Sequence, residues 1–111
     1  MSFAVSAEMR QNAAILTVHG DVDLATAPAL ESAIADVWIP PQSLVIDAGD
    51  VPFMDSTGLG VLVKAALRAR EEGGRVAMAA VGSRVHKVLA ITGLDEHVAI
   101  YSTVEEALRN T

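Results

Sequence analysis

Apolar positions change their period along this chain, and each change marks an element. Phe3, Val5 and Ala7 alternate with smaller or polar residues, and Ala14, Leu16 and Val18 alternate with Ile15, Thr17 and His19. A period of two predicts strands, and the short polar link Arg10-Gln11-Asn12 predicts that they form a hairpin. Gly20-Asp21-Val22-Asp23 ends the second strand. From Ala27 the period becomes helical: Ala27, Leu30, Ile34, Val37 and Trp38 share one face, while Glu31, Ser32 and Asp36 take the other. Thr26 is expected to cap this helix, Pro28 is tolerated in its first turn, and Pro40-Pro41 forbids its continuation. Leu44 to Ala48 is an unbroken apolar run, expected as a strand buried on both faces.

A second helical pattern opens near Ser56 and continues to about Glu72. Leu59, Leu62, Val63, Ala66 and Ala69 project to one side, and Lys64, Arg68, Glu71 and Glu72 to the other. Thr57, Gly60 and Val61 fall near the polar side. Such bare or apolar positions on the outside of a first turn point to a close-contact surface, or to cover by a neighbouring loop. Gly73-Gly74 predicts a stop through a left-handed residue. Arg75 to Val81 reads as another central strand, and Ser83 opens a helix with Val85, Val88, Leu89 and Thr92 inward, Ile91 outward and Gly93 at its end. Val98-Ala99-Ile100 is a last short strand, and Ser102-Thr103-Val104-Glu105-Glu106 holds two overlapping capping boxes that start a final helix. The order ββαβαβαβα predicts an antiparallel opening hairpin on an otherwise parallel sheet, hence a mixed, mostly parallel one.

Composition narrows the class. At 111 residues the chain is expected to be one domain, residues 1–111, large enough to bury a core. Aromatics are only 4% against 51% hydrophobic residues, so that core is aliphatic. No apolar run approaches the roughly 20 residues that cross a bilayer, so no membrane insertion is expected. The start, residues 1–8, lacks a basic stretch and does not read as a signal peptide, and there is no cysteine for a disulfide or thiolate metal site. A cytoplasmic protein is expected. The net charge of −6, with its eight basic residues scattered, argues against nucleic acid and suits either simple solubility or a partner with a basic face.

The chemistry concentrates in Phe53-Met54-Asp55-Ser56-Thr57-Gly58-Leu59-Gly60-Val61-Leu62. Two adjacent hydroxyls, Ser56 and Thr57, stand where a strand hands over to a helix, whose first turn offers free N–H groups and a positive dipole end. A phosphate is stabilised there. Ser56 therefore reads either as a plain N-cap or as a hydroxyl that receives a phosphoryl group. Enzyme readings find little. Ser56 lacks a G-x-S-x-G elbow, and His19, His86 and His97 supply a base only if the fold brings one to it. Gly58-x-Gly60 is neither a dinucleotide fingerprint nor a P-loop. Asp21, Asp23, Asp47, Asp50 and Asp55 would serve a metal or a phosphoaspartate receiver only if three converged, and they match no Ca²⁺-loop spacing, so no metal is expected; nor is the domain expected to need a cofactor of its own.

Asp-Ser-Thr-Gly-Leu-Gly after Phe-Met resembles the signature of the STAS domain family, in particular its stand-alone bacterial anti-sigma factor antagonists. His19-Gly20-Asp21-Val22-Asp23 is similar to the family's Gly-Glu-Leu-Asp segment, with Asp21 in place of the commoner glutamate. Val85 to Leu94, with Gly93-Leu94, resembles its third helix and exit. The resemblance implies a single-domain STAS-like α/β fold with helices mainly on one face of the sheet. It also implies a non-enzymatic regulator in partner switching of the stress-response and sporulation kind. On this resemblance the bare form is expected to bind an anti-sigma factor that is itself a serine kinase, freeing a sigma factor, and phosphorylation from ATP to end the binding. A PP2C-type phosphatase is expected to reset it. Ser56 occupies the phosphorylated position, with Thr57 as second choice. Asp23, Asp55, Thr57, Gly58, Gly60, Val61 and Lys64 are then candidate partner contacts, Gly58, Gly60 and Val61 giving close approach. Asp23 either orients the hydroxyl, contacts the partner, or caps its own turn. The alternative is a STAS subunit of an ABC-type membrane transport complex, or a scaffold element of a signalling assembly. Monomer and weak dimer both remain open.

Overall fold

A computed structural model describes residues 3–110. Met1 and Ser2, part of the N-terminal segment read above, lie outside the described residues. The elements are β1 (Ala4–Arg10), β2 (Ala13–His19), α1 (Ala27–Val37), β3 (Ser43–Asp50), α2 (Ser56–Glu72), β4 (Arg75–Ala79), α3 (Ser83–Thr92), a one-turn 3₁₀ helix at Leu94–Glu96, β5 (Ala99–Tyr101) and α4 (Val104–Arg109). The five strands lie in the order β1-β2-β3-β4-β5, with β1 and β2 antiparallel and every later pair parallel. The turn between β1 and β2 is Gln11-Asn12, with Gln11 at φ 56°.

Alternation in the central strands feeds two cores. Ala14, Leu16, Val18, Leu44, Ile46, Ala48, Val76 and Met78 face α1, α2 and α3. Ala13, Ile15, Val45, Ala77 and Ala79 face the other way, onto Ala107 and Leu108 of α4. Three helices thus cover one face and the six-residue α4 the other. Trp38, just past α1, is fully buried; its Nε1 donates to the Gln42 carbonyl at 2.8 Å, and the Arg68 guanidinium lies 5.3 Å from its ring centroid. No helix among the described residues is long and apolar enough to cross a membrane.

Several boundaries differ from the pattern. β4 ends at Ala79 rather than Val81, because Ala80 turns to φ 58° while its N–H still reaches the Tyr101 carbonyl at 3.0 Å. The 3₁₀ turn, unmarked by periodicity, moves the last strand one residue on, to Ala99–Tyr101. Thr92 is exposed rather than inward, its Oγ1 donating back to the Val88 carbonyl at 2.8 Å. Gly73 has positive φ, 74°, but extended ψ, so the stop is not a left-handed cap. At α4 only one of the two capping boxes forms. Thr103 accepts from the Glu106 N–H at 3.1 Å, Glu106 reaches back to the Ser102 N–H at 2.9 Å, and Glu105 turns away to Arg10 at 2.8 Å.

Candidate functional site

Two loops are laced together above the carboxyl ends of β2 and β3. Gly20 N–H donates to the Asp50 carbonyl at 2.9 Å, Val22 N–H to Phe53 at 3.0 Å, and Asp55 N–H to Val22 at 3.1 Å. Val22 and Met54 form a parallel bridge, and both side chains are buried. Sequence-distant segments thereby become one rigid rim. His19 Nδ1 and Asp50 Oδ2, 2.8 Å apart, tie the same two strand ends, so Asp50 is the strand-end partner of a half-buried histidine.

Gly58 makes this lacing possible. A Cβ there would lie 2.7 Å from Met54 Cγ and 2.7 Å from Val22 Cγ1. The close approach expected of Gly58 is real, but it is made to the molecule's own loop. Around Gly60 nothing lies within 4 Å of such a Cβ, so that position is open. The phase of α2 follows: Gly58, Val61, Leu62, Ala65 and Ala69 face inward. Val61 is 6% exposed and packs in the core, which corrects its placement on the outer face and removes it as a contact surface. Leu59 and Ala66 are half-buried, while Val63 and Leu67 are 43% and 51% exposed. The helix is apolar on two sides, and periodicity alone centred its inner face between them.

Asp55, not Ser56, caps α2. Its Oδ1 accepts from the N–H groups of Thr57 at 2.8 Å and Gly58 at 3.2 Å. Ser56 becomes the first helical residue, exposed, and its hydroxyl has no hydrogen-bond partner among the described residues. Thr57 is half-buried. The carboxylate thus already occupies two of the first-turn N–H groups and places a negative charge next to the Ser56 hydroxyl.

Asp23 spends its Oδ1 on its own turn, accepting from Ala25 N–H at 3.0 Å and Thr26 N–H at 3.1 Å. Of its three readings, turn capping is the one seen. Thr26 makes no capping bond to α1; its Oγ1 donates to the Asp21 carbonyl at 2.7 Å and accepts from Asp23 N–H at 2.9 Å. Lys64 reaches α1 and pairs with Glu31 at 3.1 Å, leaving it exposed but already partnered. His86 and His97 are exposed on other elements. Two residues not named above as candidate contacts stand on the rim: Leu24, 75% exposed in the Asp23–Thr26 turn, and the motif's own Phe53, 38% exposed, with Arg84 stacked 5.7 Å from its ring centroid. An apolar residue inside a polar loop was the available signal for Leu24.

Residues 4–107 match the STAS domain family. The chain belongs to that family. This STAS domain is 33% identical over 108 residues to the anti-sigma-F factor antagonist RsfB of Mycobacterium tuberculosis, covering 96% of this chain and 88% of that protein. It is 29% identical over 105 residues to the anti-sigma-B factor antagonist of Bacillus subtilis, covering 95% and 96%. The crystal structure of an anti-sigma factor antagonist from Mycobacterium paratuberculosis superposes with a TM-score of 0.87 at 33% identity, covering 98% of this chain and 93% of the other.

Proposed function

We propose that this STAS domain is a cytoplasmic anti-sigma factor antagonist switched by phosphorylation of Ser56. The observation that carries the reading is an exposed, unbonded hydroxyl at the first helical position, on a rim stiffened by the Val22–Met54 bridge. Three relatives matched over most of both chains carry the antagonist name, which favours this reading over a transport subunit. The partner is an anti-sigma factor with serine-kinase activity. It transfers the γ-phosphoryl of ATP to Ser56 Oγ; the hydroxyl proton is lost and ADP leaves. A phosphatase hydrolyses the ester to restore the serine and release phosphate. Asp23, Asp55, Thr57, Gly60 and Lys64 surround or flank the contact, with Leu24 and Phe53 adding apolar area.

Phosphorylation adds about −1.5 to −2 charges at neutral pH. Beside Asp55 this deepens an acidic rim, and a partner that buried a neutral hydroxyl would have to desolvate a dianion. That costs on the order of several kcal/mol, a hundredfold or more in affinity. The test is incubation with a co-encoded anti-sigma kinase and ATP, read by intact mass. One phosphoryl group should be gained by the wild type and by Thr57→Ala and none by Ser56→Ala; a gain that survives Ser56→Ala assigns the acceptor elsewhere.

A further inference from the structure

A phosphoryl group on Ser56 would arrive where its own helix end offers little. Asp55 already accepts from the Thr57 and Gly58 N–H groups, and its carboxylate stands next to the serine. The new charge has to be met by a side chain, and the chain has eight basic residues. Arg10 pairs with Glu105, Lys64 with Glu31 and Arg68 with Glu72. Arg109 belongs to α4, on the opposite face of the sheet. Arg70 lies about 21 Å of helix rise along α2 from Ser56, and Arg75 follows it at the start of β4. The two that remain are Arg84, the second residue of α3, and Lys87, further along the same helix.

Arg84 already touches the motif. β3 and β4 are parallel neighbours, so α2 and α3, which follow them, start at the same end of the sheet. The Arg84 guanidinium lies 5.7 Å from the ring centroid of Phe53, just upstream of Ser56. It is exposed, and it makes no hydrogen bond or ion pair among the described residues.

We infer that Arg84 is the counter-ion of phosphorylated Ser56: its guanidinium leaves the Phe53 ring and takes the phosphate in a forked pair. The inference rests on Ser56 being the acceptor, as proposed above. Relative strength decides the exchange. An exposed cation over a ring is held weakly, whereas N–H bonds to a phosphate dianion are charge-assisted and roughly twice as strong as neutral ones. The planar fork also matches phosphate geometry, which the Lys87 ammonium meets only as a point charge. Phe53, 38% exposed with the guanidinium over it, then loses that cover. The bare and phosphorylated rims therefore differ in an aromatic side chain as well as in charge.

The experiment uses the full chain with phosphoserine placed at position 56 during translation. It needs no kinase, so it and the kinase assay above can fail separately. The second ionisation of the phosphate is followed by ³¹P NMR titration in wild type, Arg84→Gln and Lys87→Gln, with circular dichroism to check folding. The acidic groups of the rim, Asp55 and, on the laced loop, Asp21 and Asp23, are the same in every variant. Arg84→Gln should raise the ionisation midpoint by about 0.5 pH unit or more, because an opposite charge in contact favours the dianion, and Lys87→Gln should move it much less. No change in Arg84→Gln, or equal changes in both variants, overturns the pair. In the bare protein the Arg84 Nε–H signal is displaced by the ring current of Phe53, a displacement that Phe53→Leu should erase and that should vanish in the phosphoprotein. A displacement that persists in the phosphoprotein keeps Arg84 on the ring and overturns the exchange. A kinase that leaves Ser56 unmodified overturns the proposed function, and the titration then judges the pair by itself.

Discussion

Three roles within the motif separate cleanly at the level of single residues. Asp55 holds the helix end, Ser56 carries the free oxygen, and Gly58 admits the neighbouring loop. Asp55→Ala should cost about 0.5–2 kcal/mol, as the loss of an N-cap does, whereas Ser56→Ala should leave urea denaturation unchanged within error. Gly58 and Gly60 should respond in opposite directions. A methyl at 58 meets two buried side chains at 2.7 Å and should destabilise by about 1–3 kcal/mol. A methyl at 60 meets nothing and removes a mid-helix glycine, so Gly60→Ala should stabilise by up to about 1 kcal/mol. If Gly60→Ala nonetheless weakens partner binding, the position serves close approach to the partner rather than folding. The two glycines look alike in the sequence because what differs is the space above them, and that space is built by Val22.

Among the elements, α4 is the one held by polar devices at its margin. It has six residues, buries only Ala107 and Leu108, and depends on the Thr103–Glu106 box and the Arg10–Glu105 pair that ties it to β1. The Arg10 guanidinium, by its hydrogen bonds and then its charge, holds the Glu105 carboxyl below the usual range, and Glu105 raises Arg10 in return. A depressed carboxylate stabilises the fold above its unfolded value near 4.5 and loses that contribution as pH falls through the folded value. Both groups are exposed, so the effect is small and screened by salt. The melting temperature of wild type should exceed that of Glu105→Gln at neutral pH and low salt, and the gap should close in acid. A gap that persists at pH 3 would show that the pair contributes by packing instead. The same element shows the limit of pattern reading: both capping boxes were visible, and the competition between β1 and the cap for Glu105 decided which one formed.

At the scale of the whole molecule, the proposed switch site and the core are separate. The Ser56 hydroxyl lies outside both apolar clusters, and the loops beneath it are fixed by main-chain bonds that an ester would not touch. The phosphorylated domain should therefore stay folded. Trp38, the single tryptophan, is fully buried and reports on the α1 side of the core. Its emission maximum and the thermal midpoint should be the same, within a few degrees for the latter, in the bare and phosphorylated forms. A red-shifted Trp38 in the phosphoprotein would mean that modification loosens the fold rather than altering a surface charge.

Much of the architecture was legible because it depends on local rules. Alternation marked β2, the buried run marked β3, the Ala27–Trp38 face marked α1, and the order of elements implied a parallel sheet beside one hairpin. The Asp-Ser-Thr-Gly segment could likewise be placed at a strand-to-helix junction, since hydroxyls and glycines have positional meaning there. The rotation of α2 was not legible. It has apolar residues on two faces, and only the contact of Gly58 with Val22 and Met54, the first of them far away along the chain, chose which face went inward. That choice buried Val61, left Val63 and Leu67 exposed, and turned Ser56 to solvent. Periodicity determines that a helix forms and roughly how amphipathic it is; the side to which it turns belongs to the surfaces it meets, and those exist only once distant segments have packed.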